Sequence, residues 1–340
     1  QQFILKIHSR CNLACTYCYV YEMADQGWRD MPRLMSPAVT EMTAKRIDEH
    51  VQAHHLPSVD VILHGGEPLL LPAARLAQIM AAFRSVIEPV CLLELRMQSN
   101  GILLTPEIAE VLADHHVVVG ISLDGDALAN DRHRIYLNGT SSHTQVLRAL
   151  ELLRTAPYRS LYGGILCTID VANDPIRVYE ALLEEEPPRI DFLLPHATWD
   201  DPPPGRDGGS LRYAEWLLAI YERWSADGRP VRIRIFDSIL ALGEGDASGT
   251  ESLGADTSAI AVVEVDGTWE RVDSLKMVSE EAPRTGLDVH RHSVDEFLAR
   301  AGALGRDGGE LAPTCRTCRV VDTCGGGLYA HRFGRGGGAQ

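Results

Sequence analysis

Residues 3–18, FILKIHSRCNLACTYC, join an apolar run to three closely spaced cysteines. Phe3–His8 has the composition of a buried strand, and Cys11, Cys15 and Cys18 follow it on one short loop. Cysteine thiolates are the usual ligands of a [4Fe–4S] cluster, and three of them leave the fourth iron open to bind another molecule. A zinc site and buried, unrelated thiols are the alternatives, but a zinc site normally has a fourth Cys or His close by, and none follows this triplet.

From Phe3 to about Pro195, apolar β-rich runs alternate with helix patterns. A proline follows Ser36, Thr105 and Asp174, and each pair marks a helix start. The predicted strands are Phe3–His8, Val59–His64, Cys91–Gln98, Val117–Ser122, Tyr162–Ile169 and Ile190–Pro195. Six successive β-then-α units favour an α/β fold with helices covering a parallel sheet. We expect a partial (β/α)6, TIM-like barrel.

Four polar segments lie just beyond strand ends, where a parallel barrel gathers its reactive groups. Three of them come directly at the end of a strand, and the fourth lies further along the connection after the fourth strand. They are His64-Gly65-Gly66-Glu67-Pro68, Gln98-Ser99-Asn100-Gly101, Ser122-Leu123-Asp124-Gly125 and Asp131-Arg132-His133-Arg134. Gly65 and Gly66 allow the backbone to approach a ligand closely. Glu67 can accept hydrogen bonds from an ammonium group, and Arg134 can bind a carboxylate. Each segment alone could be an ordinary turn, but together they indicate a binding site.

In this order the motifs resemble those of the radical S-adenosylmethionine (SAM) enzymes. The resemblance implies that the cluster of Cys11, Cys15 and Cys18 binds SAM, with Tyr17 in the cofactor site. The other cofactor contacts that it implies are Gly65, Gly66, Glu67 and Pro68 at the methionine amino group, Ser99 and Asn100 at the ribose, Ser122 and Asp124 in a second turn, and Arg134 at the carboxylate.

A second cysteine triplet lies near the end of the chain. Cys315, Cys318 and Cys324-Gly-Gly-Gly resemble the SPASM-type auxiliary-cluster domain of radical SAM peptide maturases, in particular the FxsB type. Segments 192–199, 272–276 and 324–332 carry that resemblance. It implies one auxiliary [4Fe–4S] cluster, completed by His331, by an exogenous ligand or by a residue beyond Gln340. Zinc and a catalytic thiol are the alternatives for this triplet.

We divide the chain into a barrel over residues 1–236 and a SPASM-like C-terminal domain over 237–340, which ends in a flexible tail. The elements predicted after the barrel strands are a loop over His196–Gly209, a helix over Leu211–Trp224, a short strand over Val231–Phe236, a mobile segment over Gly243–Asp256 and a hairpin of Ala259–Val265 with Trp269–Val272.

Several residues could touch a substrate or a metal but carry weaker patterns. His196, Trp199 and Asp237 follow late strands and are candidates for substrate contact. No residue is identified as a general base. Two lone cysteines, Cys91 and Cys167, are expected in the core. His50 and His54 fall on a helix and are expected to be solvated.

The FxsB-type resemblance implies a ribosomal precursor peptide as substrate. A 5′-deoxyadenosyl radical from SAM would take a hydrogen from a side-chain β-carbon, and a carbon–carbon crosslink to an aromatic ring, a cyclophane, would follow. The alternatives are other radical SAM chemistry on a peptide or protein, namely thioether formation, epimerisation or formylglycine formation, and a non-catalytic zinc-binding scaffold. A one-electron reductant such as flavodoxin or ferredoxin is expected as a partner.

Composition limits the class of protein. The chain has 340 residues, 45% of them hydrophobic, with eight cysteines and a net charge of −15. That charge disfavours nucleic acid as a partner, and the sequence has no run apolar enough to span a membrane. Clustered thiols in a chain of this size favour metal ligation in a reducing cytoplasm over a disulfide framework. The chain begins at Gln1 rather than Met, and we expect it to be part of a longer protein.

Overall fold

The computed structural model of the chain describes residues 1–206, 211–254, 260–302 and 311–334. Its strands form one ten-stranded sheet in the order β10-β9-β8-β1-β2-β3-β4-β5-β6-β7. The strands are β1 (Gln2–His8), β2 (Ser58–Gly65), β3 (Leu92–Ser99), β4 (Val118–Ser122), β5 (Tyr162–Thr168), β6 (Arg189–Leu193), β7 (Arg232–Ile233), β8 (Ile260–Val263), β9 (Thr268–Glu270) and β10 (Arg284–Asp288).

Strands β1 to β7 are parallel and follow one another in the sheet, with helices in the connections. The helices are α1 (Pro37–His54), α2 (Ala73–Ile87), α3 (Pro106–Asp114), α4 (Ala127–Asn130), α5 (His143–Arg154), α6 (Pro175–Glu184), α7 (Arg212–Ala226), α8 (Arg234–Glu244), α9 (Val294–Ala301), α10 (Pro313–Arg316), α11 (Val321–Cys324) and α12 (Tyr329–Arg332). The six predicted β-then-α units and the α/β barrel class are confirmed.

Local sequence sets the helix starts. The side chains of Ser36, Thr105 and Asp174 each accept a hydrogen bond from a backbone N–H of the first turn, and proline follows each of them. On β1, Phe3, Leu5 and Ile7 are fully buried and join one apolar cluster with residues of α1 and α2. Because side chains alternate along a strand, Lys6 faces the opposite side of the sheet, where it pairs in register with His64 of β2.

One prediction about the later strands is wrong. The run Val231–Phe236 forms a strand only at Arg232–Ile233, because the chain turns into α8 at Arg234. This short strand pairs with Arg189 and Ile190, at the amino-terminal start of β6. Asp237 lies in the first turn of α8 and pairs with Arg232 at 3.1 Å, away from the carboxyl ends of the strands. Its assignment as a substrate contact stays a prediction.

The predicted C-terminal hairpin forms, and it extends the barrel sheet. β8 pairs in parallel with β1, and β9 pairs antiparallel with β8. Helix α8 crosses the proposed domain boundary at residue 236, so the division into two domains stays a prediction. The tail after Gly334 and part of the segment expected to be mobile lie outside the described residues. No helix in the described ranges is long and apolar enough to cross a bilayer.

Candidate active site

The loop that carries the first cysteine triplet is held by the segment before α5. The backbone N–H of Ala14 donates to Ile135 O at 2.8 Å, and that of Thr16 donates to His133 O at 3.2 Å. Thr16 Oγ1 also lies 2.6 Å from His133 Nδ1. The segment proposed to bind the SAM carboxylate therefore fixes the cysteine loop as well.

The three thiols are half-buried, in a setting that fits an iron–sulfur cluster. Burial raises the pKa of Cys11 to about 12, and burial also raises the pKa values of Cys15 and Cys18. Thiols with raised pKa values stay protonated until a metal displaces the protons.

Gly65 and Gly66 do not serve only the approach of a ligand, as the sequence suggested. A Cβ atom on Gly66 would lie 2.4 Å from Arg10 O, and one on Gly65 would lie 2.3 Å from His8 O. The backbone of the Gly-Gly turn is thus pressed against the backbone that leads into Cys11. Glycine is required here because two main chains approach more closely than a Cβ atom allows.

Glu67 is almost completely buried and is held by three protein donors. Its carboxylate accepts hydrogen bonds from Ser99 Oγ at 2.7 Å, Asn100 N at 2.8 Å and Leu69 N at 2.9 Å. Four lone-pair sites are available on a carboxylate, so one remains for an ammonium group. The ends of β2 and β3 are therefore joined through Glu67, with Pro68 at the start of the turn that follows it.

Asn100 connects the end of β3 to the cysteine loop. Its Nδ2 donates to Asn12 Oδ1 at 2.8 Å and lies 3.8 Å from Cys11 Sγ. Ser122 at the end of β4 accepts a hydrogen bond from Gln98 Nε2 at 2.8 Å. The predicted site residues of three neighbouring strands thus meet at the carboxyl edge of the sheet.

Tyr17, Asp124 and Arg134 form a buried chain of hydrogen bonds. Tyr17 OH donates to Asp124 Oδ2 at 2.6 Å, and Arg134 Nη1 donates to Tyr17 OH at 2.9 Å. Burial raises the pKa of Asp124 and that of Tyr17. Arg134 is 7% exposed, and its Nε is buried without a hydrogen-bond partner among the described residues. The unpaired Nε–H is a donor available to a carboxylate.

Sequence reasoning missed Asp273, a carboxylate beside this loop whose side chain is 12% exposed. It forms an ion pair with Lys6, and its Oδ2 accepts a hydrogen bond from Tyr19 OH at 3.0 Å. Its Oδ1 is buried without a partner in the described part of the chain. Although burial opposes it, the ammonium groups of Lys6 and Lys276 hold the pKa of Asp273 well below its usual range, so the group is ionised. The available signal was Lys6, a lysine inside an apolar strand.

A second buried ion cluster lies next to Asp273. Lys276 Nζ is 2.8 Å from Glu264, 3.0 Å from Glu270 and 3.3 Å from Asp25. Burial, together with the charge of Glu264, raises the pKa of Glu270 to about 8. Glu270 therefore holds its proton to a higher pH in the folded chain than in the unfolded chain.

This protonation predicts a pH-dependent stability that Glu270→Gln removes. The folded chain binds a proton that the unfolded chain releases, so the free energy of unfolding should fall as pH rises from about 4.5 to about 8. Glu270→Gln should leave the thermal midpoint at pH 7 within about 2 °C of the wild type and flatten this slope. Glu264→Gln, which removes a charged partner of Lys276, should cost about 2 kcal/mol. Thermal melts from pH 5 to 8 test both, and an unchanged slope in Glu270→Gln contradicts the assignment.

Two substrate-side candidates follow β6, and one of them, His196, contacts the cysteine loop. The ring of His196 contacts Tyr19 at 4.9 Å between centroids, and its Nδ1 is buried without a partner in the described ranges. Burial lowers the pKa of His196 to about 4, so the ring is neutral. Trp199 is 39% exposed and is covered by Arg206, 4.5 Å from the ring centroid. His331 lines a cavity of about 160 Å³ with Leu194 and other residues.

The second cysteine triplet lies on the α10 and α11 turns, with all three thiols free. The glycines after Cys324 have left-handed φ values of 68°, 80° and 70°. Arg332 is 5% exposed, and none of its three guanidinium nitrogens has a partner within the described residues. Its Cζ would lie 3.6 Å from a Cβ on Gly326. A buried positive charge that has no hydrogen-bond partner in the described part of the chain therefore lies close to this segment. Cys167 is buried on β5 as expected, and Cys91 is only half-buried.

Comparison with known proteins gives one consistent family. The sequence matches the radical SAM superfamily profile over residues 5–177. It is 26% identical to the serine-type anaerobic sulfatase-maturating enzyme of Bacteroides thetaiotaomicron, over 96% of this chain and 81% of that protein. It is also 26% identical to the cysteine-type enzyme of Clostridium perfringens, over 76% of this chain and 70% of that protein. A solved structure of anSMEcpe with bound AdoMet and Cp18Cys peptide has the same fold, with a TM-score of 0.82 at 22% identity, over 99% of this chain and 91% of that one. The chain belongs to the radical SAM superfamily and is an enzyme that uses a [4Fe–4S] cluster and SAM.

Proposed function

We propose that this enzyme oxidises the β-carbon of a serine or cysteine side chain, in a peptide or protein, to formylglycine. Curated relatives that span most of the chain are sulfatase-maturating enzymes of both serine and cysteine type. The observation that carries the proposal is Asp273, whose open Oδ1 offers a buried proton acceptor beside the cysteine loop. We therefore favour formylglycine formation over the cyclophane crosslink that the sequence resemblance implies.

The cofactor contacts follow from the site geometry. Cys11, Cys15 and Cys18 would hold the cluster, and the unpaired Arg134 Nε would donate to the SAM carboxylate. One acceptor position on Glu67 would receive the ammonium group, with the Gly65-Gly66 turn and Pro68 keeping that carboxylate in place. When bound and reduced, the cluster and SAM supply a 5′-deoxyadenosyl radical, which takes a hydrogen atom from an unactivated carbon.

The enzyme's own contribution is to remove a proton and to exclude water. After the β-hydrogen is lost, the substrate hydroxyl must lose a proton and the carbon-centred radical one electron to give the aldehyde. A cysteine would give the thioaldehyde, which water converts to the aldehyde with release of hydrogen sulfide. Ionised Asp273 can accept the proton at Oδ1, while Lys6 and Tyr19 hold its Oδ2. Neutral His196 has an unpaired Nδ1 that can bond to the peptide.

The second cysteine triplet would hold the acceptor for that electron. Moving a guanidinium from water into the protein interior costs several kcal/mol unless a negative group compensates for its charge. An anionic cluster ligated by Cys315, Cys318 and Cys324 would supply that charge for Arg332. His331 bonds to the backbone of Pro195 through one ring nitrogen, and its Nε2 is buried without a partner in the described ranges, so His331 stays a candidate for the fourth ligand.

Arg332→Gln should weaken this auxiliary cluster selectively. Loss of the positive charge disfavours the more negative reduced form, so the reduction potential should fall and iron at this site should decrease. Iron and sulfide per chain, and a redox titration followed by EPR with and without SAM, measure both effects. Arg319→Gln is the matched control, because Arg319 is exposed and water screens its charge. An Arg332→Gln potential equal to the wild-type value contradicts the assignment.

The cyclophane crosslink is the second candidate. Segments 192–199, 272–276 and 324–332, which resemble FxsB-type maturases, favour it, and it begins with the same abstraction from a β-carbon. A ribosomal precursor peptide would then be the substrate. Both reactions fit a cytoplasmic enzyme that is supplied with electrons by flavodoxin or ferredoxin.

An aldehyde-specific reagent distinguishes the two products. We would incubate the reconstituted enzyme, SAM and a reductant with the Cp18Cys peptide and with its serine counterpart, and analyse the products by mass spectrometry. Serine oxidation and a crosslink both remove two hydrogens, but only formylglycine reacts with a hydrazide. We expect a hydrazide adduct at the former Ser or Cys. A two-hydrogen loss without an adduct favours the crosslink, and unchanged peptides alongside SAM cleavage contradict formylglycine formation on this class of peptide.

A further inference from the structure

Three potential metal ligands converge outside the active site, where α1 meets α9. His50 and His54 lie one helical turn apart on α1, and Asp295 lies in the first turn of α9. Asp295 Oδ1 is 2.7 Å from His50 Nδ1 and 2.8 Å from His54 Nε2. The expectation that both histidines are solvated is wrong for His50, whose side chain is only 5% exposed.

We infer that His50, His54 and Asp295 form a binding site for a divalent transition-metal ion, with zinc as the ion that fits best. Two imidazoles at positions i and i+4 of a helix can reach one ion from the same face. Two imidazole nitrogens and one carboxylate oxygen form a common three-ligand set for zinc, with a fourth position left to water. His54 and Asp295 are 49% and 51% exposed, so this fourth position faces solvent.

The protonation states suit metal binding at neutral pH. Zinc requires a neutral imidazole and an ionised carboxylate. Burial lowers the pKa of His50, so its ring is neutral at pH 7. Although burial works in the opposite direction, hydrogen bonds from His54 and His50 lower the pKa of Asp295, so it is ionised. An ion would replace the two hydrogen bonds that Asp295 Oδ1 now makes with His50 Nδ1 and His54 Nε2.

The present distances are those of hydrogen bonds, and only a small movement is needed for an ion. With zinc–ligand bonds of about 2.0–2.1 Å, tetrahedral geometry separates the donor atoms by about 3.3–3.4 Å. Each exposed side chain must therefore retreat by about half an ångström. His54 and Asp295 are free to do so, while His50 is fixed against Phe3, 6.5 Å away between ring centroids. The competing interpretation is a hydrogen-bonded clasp, in which His50, His54 and Asp295 only hydrogen-bond to one another and bind no metal.

A metal here would crosslink distant parts of the chain. His50 and Asp295 are 245 positions apart in sequence. One turn earlier on α1, Arg46 Nε already donates to Val289 O at 2.8 Å, so α1 and the segment before α9 are in register without an ion. An ion that binds only the folded chain stabilises it in proportion to the logarithm of its concentration. The inference is independent of the proposed reaction.

The test uses the cluster-loaded enzyme under anaerobic conditions with Zn²⁺ as the probe. Wild type, His54→Gln and Asp295→Asn would be equilibrated with zinc and analysed for metal content, thermal midpoint and zinc X-ray absorption. His143→Gln, in which a histidine at the start of α5 is replaced, is the matched control. We expect one zinc per wild-type chain with nitrogen and oxygen neighbours, a rise in thermal midpoint, and at least tenfold weaker binding in both ligand variants.

Three outcomes would overturn the inference. Zinc with sulfur neighbours at about 2.3 Å would place the ion on thiols instead. Equal zinc affinity in wild type and His54→Gln would exclude this site. A thermal midpoint that falls in His54→Gln but does not respond to zinc in the wild type would show that the three residues form only a hydrogen-bonded clasp.

Discussion

Gly66→Ala should reduce formation of 5′-deoxyadenosine by about a hundredfold or more, because it displaces the cysteine loop. The added Cβ would lie 1.9 Å from Tyr21 Oη and 2.4 Å from Arg10 O. The tyrosine can rotate away, but the backbone at Arg10 leads directly into Cys11 and must shift. A misplacement of about 1 Å at a reacting centre can cost about a hundredfold in rate.

Iron content, SAM affinity and 5′-deoxyadenosine formation would be measured on Gly66→Ala together with Gly243→Ala. Gly243 lies in α8, and a Cβ there would meet nothing within 4 Å, so this control should behave as the wild type. If Gly66→Ala retains wild-type SAM affinity and turnover, the close contact between the Gly-Gly turn and the cysteine loop does not position the cofactor.

Asp273→Asn should separate SAM cleavage from product formation. The asparagine cannot accept the substrate proton as a carboxylate does, so formylglycine should fall by about a hundredfold or more, the usual contribution of a positioned base. SAM cleavage should continue to give 5′-deoxyadenosine, because Asp273 contacts none of the residues that we propose to bind SAM. Quantifying both products in one reaction measures the ratio between them.

Loss of Asp273 also leaves Lys6 without its buried partner, which can destabilise the fold. The double variant Lys6→Met with Asp273→Asn removes both charges and should restore the thermal midpoint but not the product. Asp266→Asn, at the exposed tip of the C-terminal hairpin, is the matched control. Equal losses of 5′-deoxyadenosine and formylglycine in a folded Asp273→Asn enzyme would assign this residue to cofactor binding instead.

The cofactor side of the site could be predicted from sequence because its residues lie on consecutive strand ends. The cysteine spacing, the Gly-Gly-Glu-Pro turn and the capped helix starts at Ser36, Thr105 and Asp174 are all local patterns. A repeated β-then-α order brings such segments to one edge of the sheet. This is why Asn100 and Cys11 could be assigned to one site before their contact was seen.

The proton-accepting side could not be predicted in the same way. Asp273 and Lys6 are 267 positions apart, and their pairing depends on how the C-terminal hairpin joins β1. The residues of the run Val231–Phe236 are compatible with a strand and with the start of a helix, and in the structure the helix begins at Arg234. Asp237 therefore lies in the first turn of that helix, away from the carboxyl ends of the strands. Glu67 shows a related limit, because two of its three protein donors are the backbone N–H groups of Leu69 and Asn100, which the residue types do not predict.

A deuterium-transfer experiment tests the central claim, abstraction of a hydrogen from a serine or cysteine β-carbon. The reconstituted enzyme would be given SAM, a reductant and Cp18Cys peptide deuterated only at the β-carbon of the target residue, and 5′-deoxyadenosine would be analysed by mass spectrometry. We predict that deuterium appears in 5′-deoxyadenosine in proportion to the hydrazide-reactive product. Unlabelled 5′-deoxyadenosine alongside formation of that product would contradict the account.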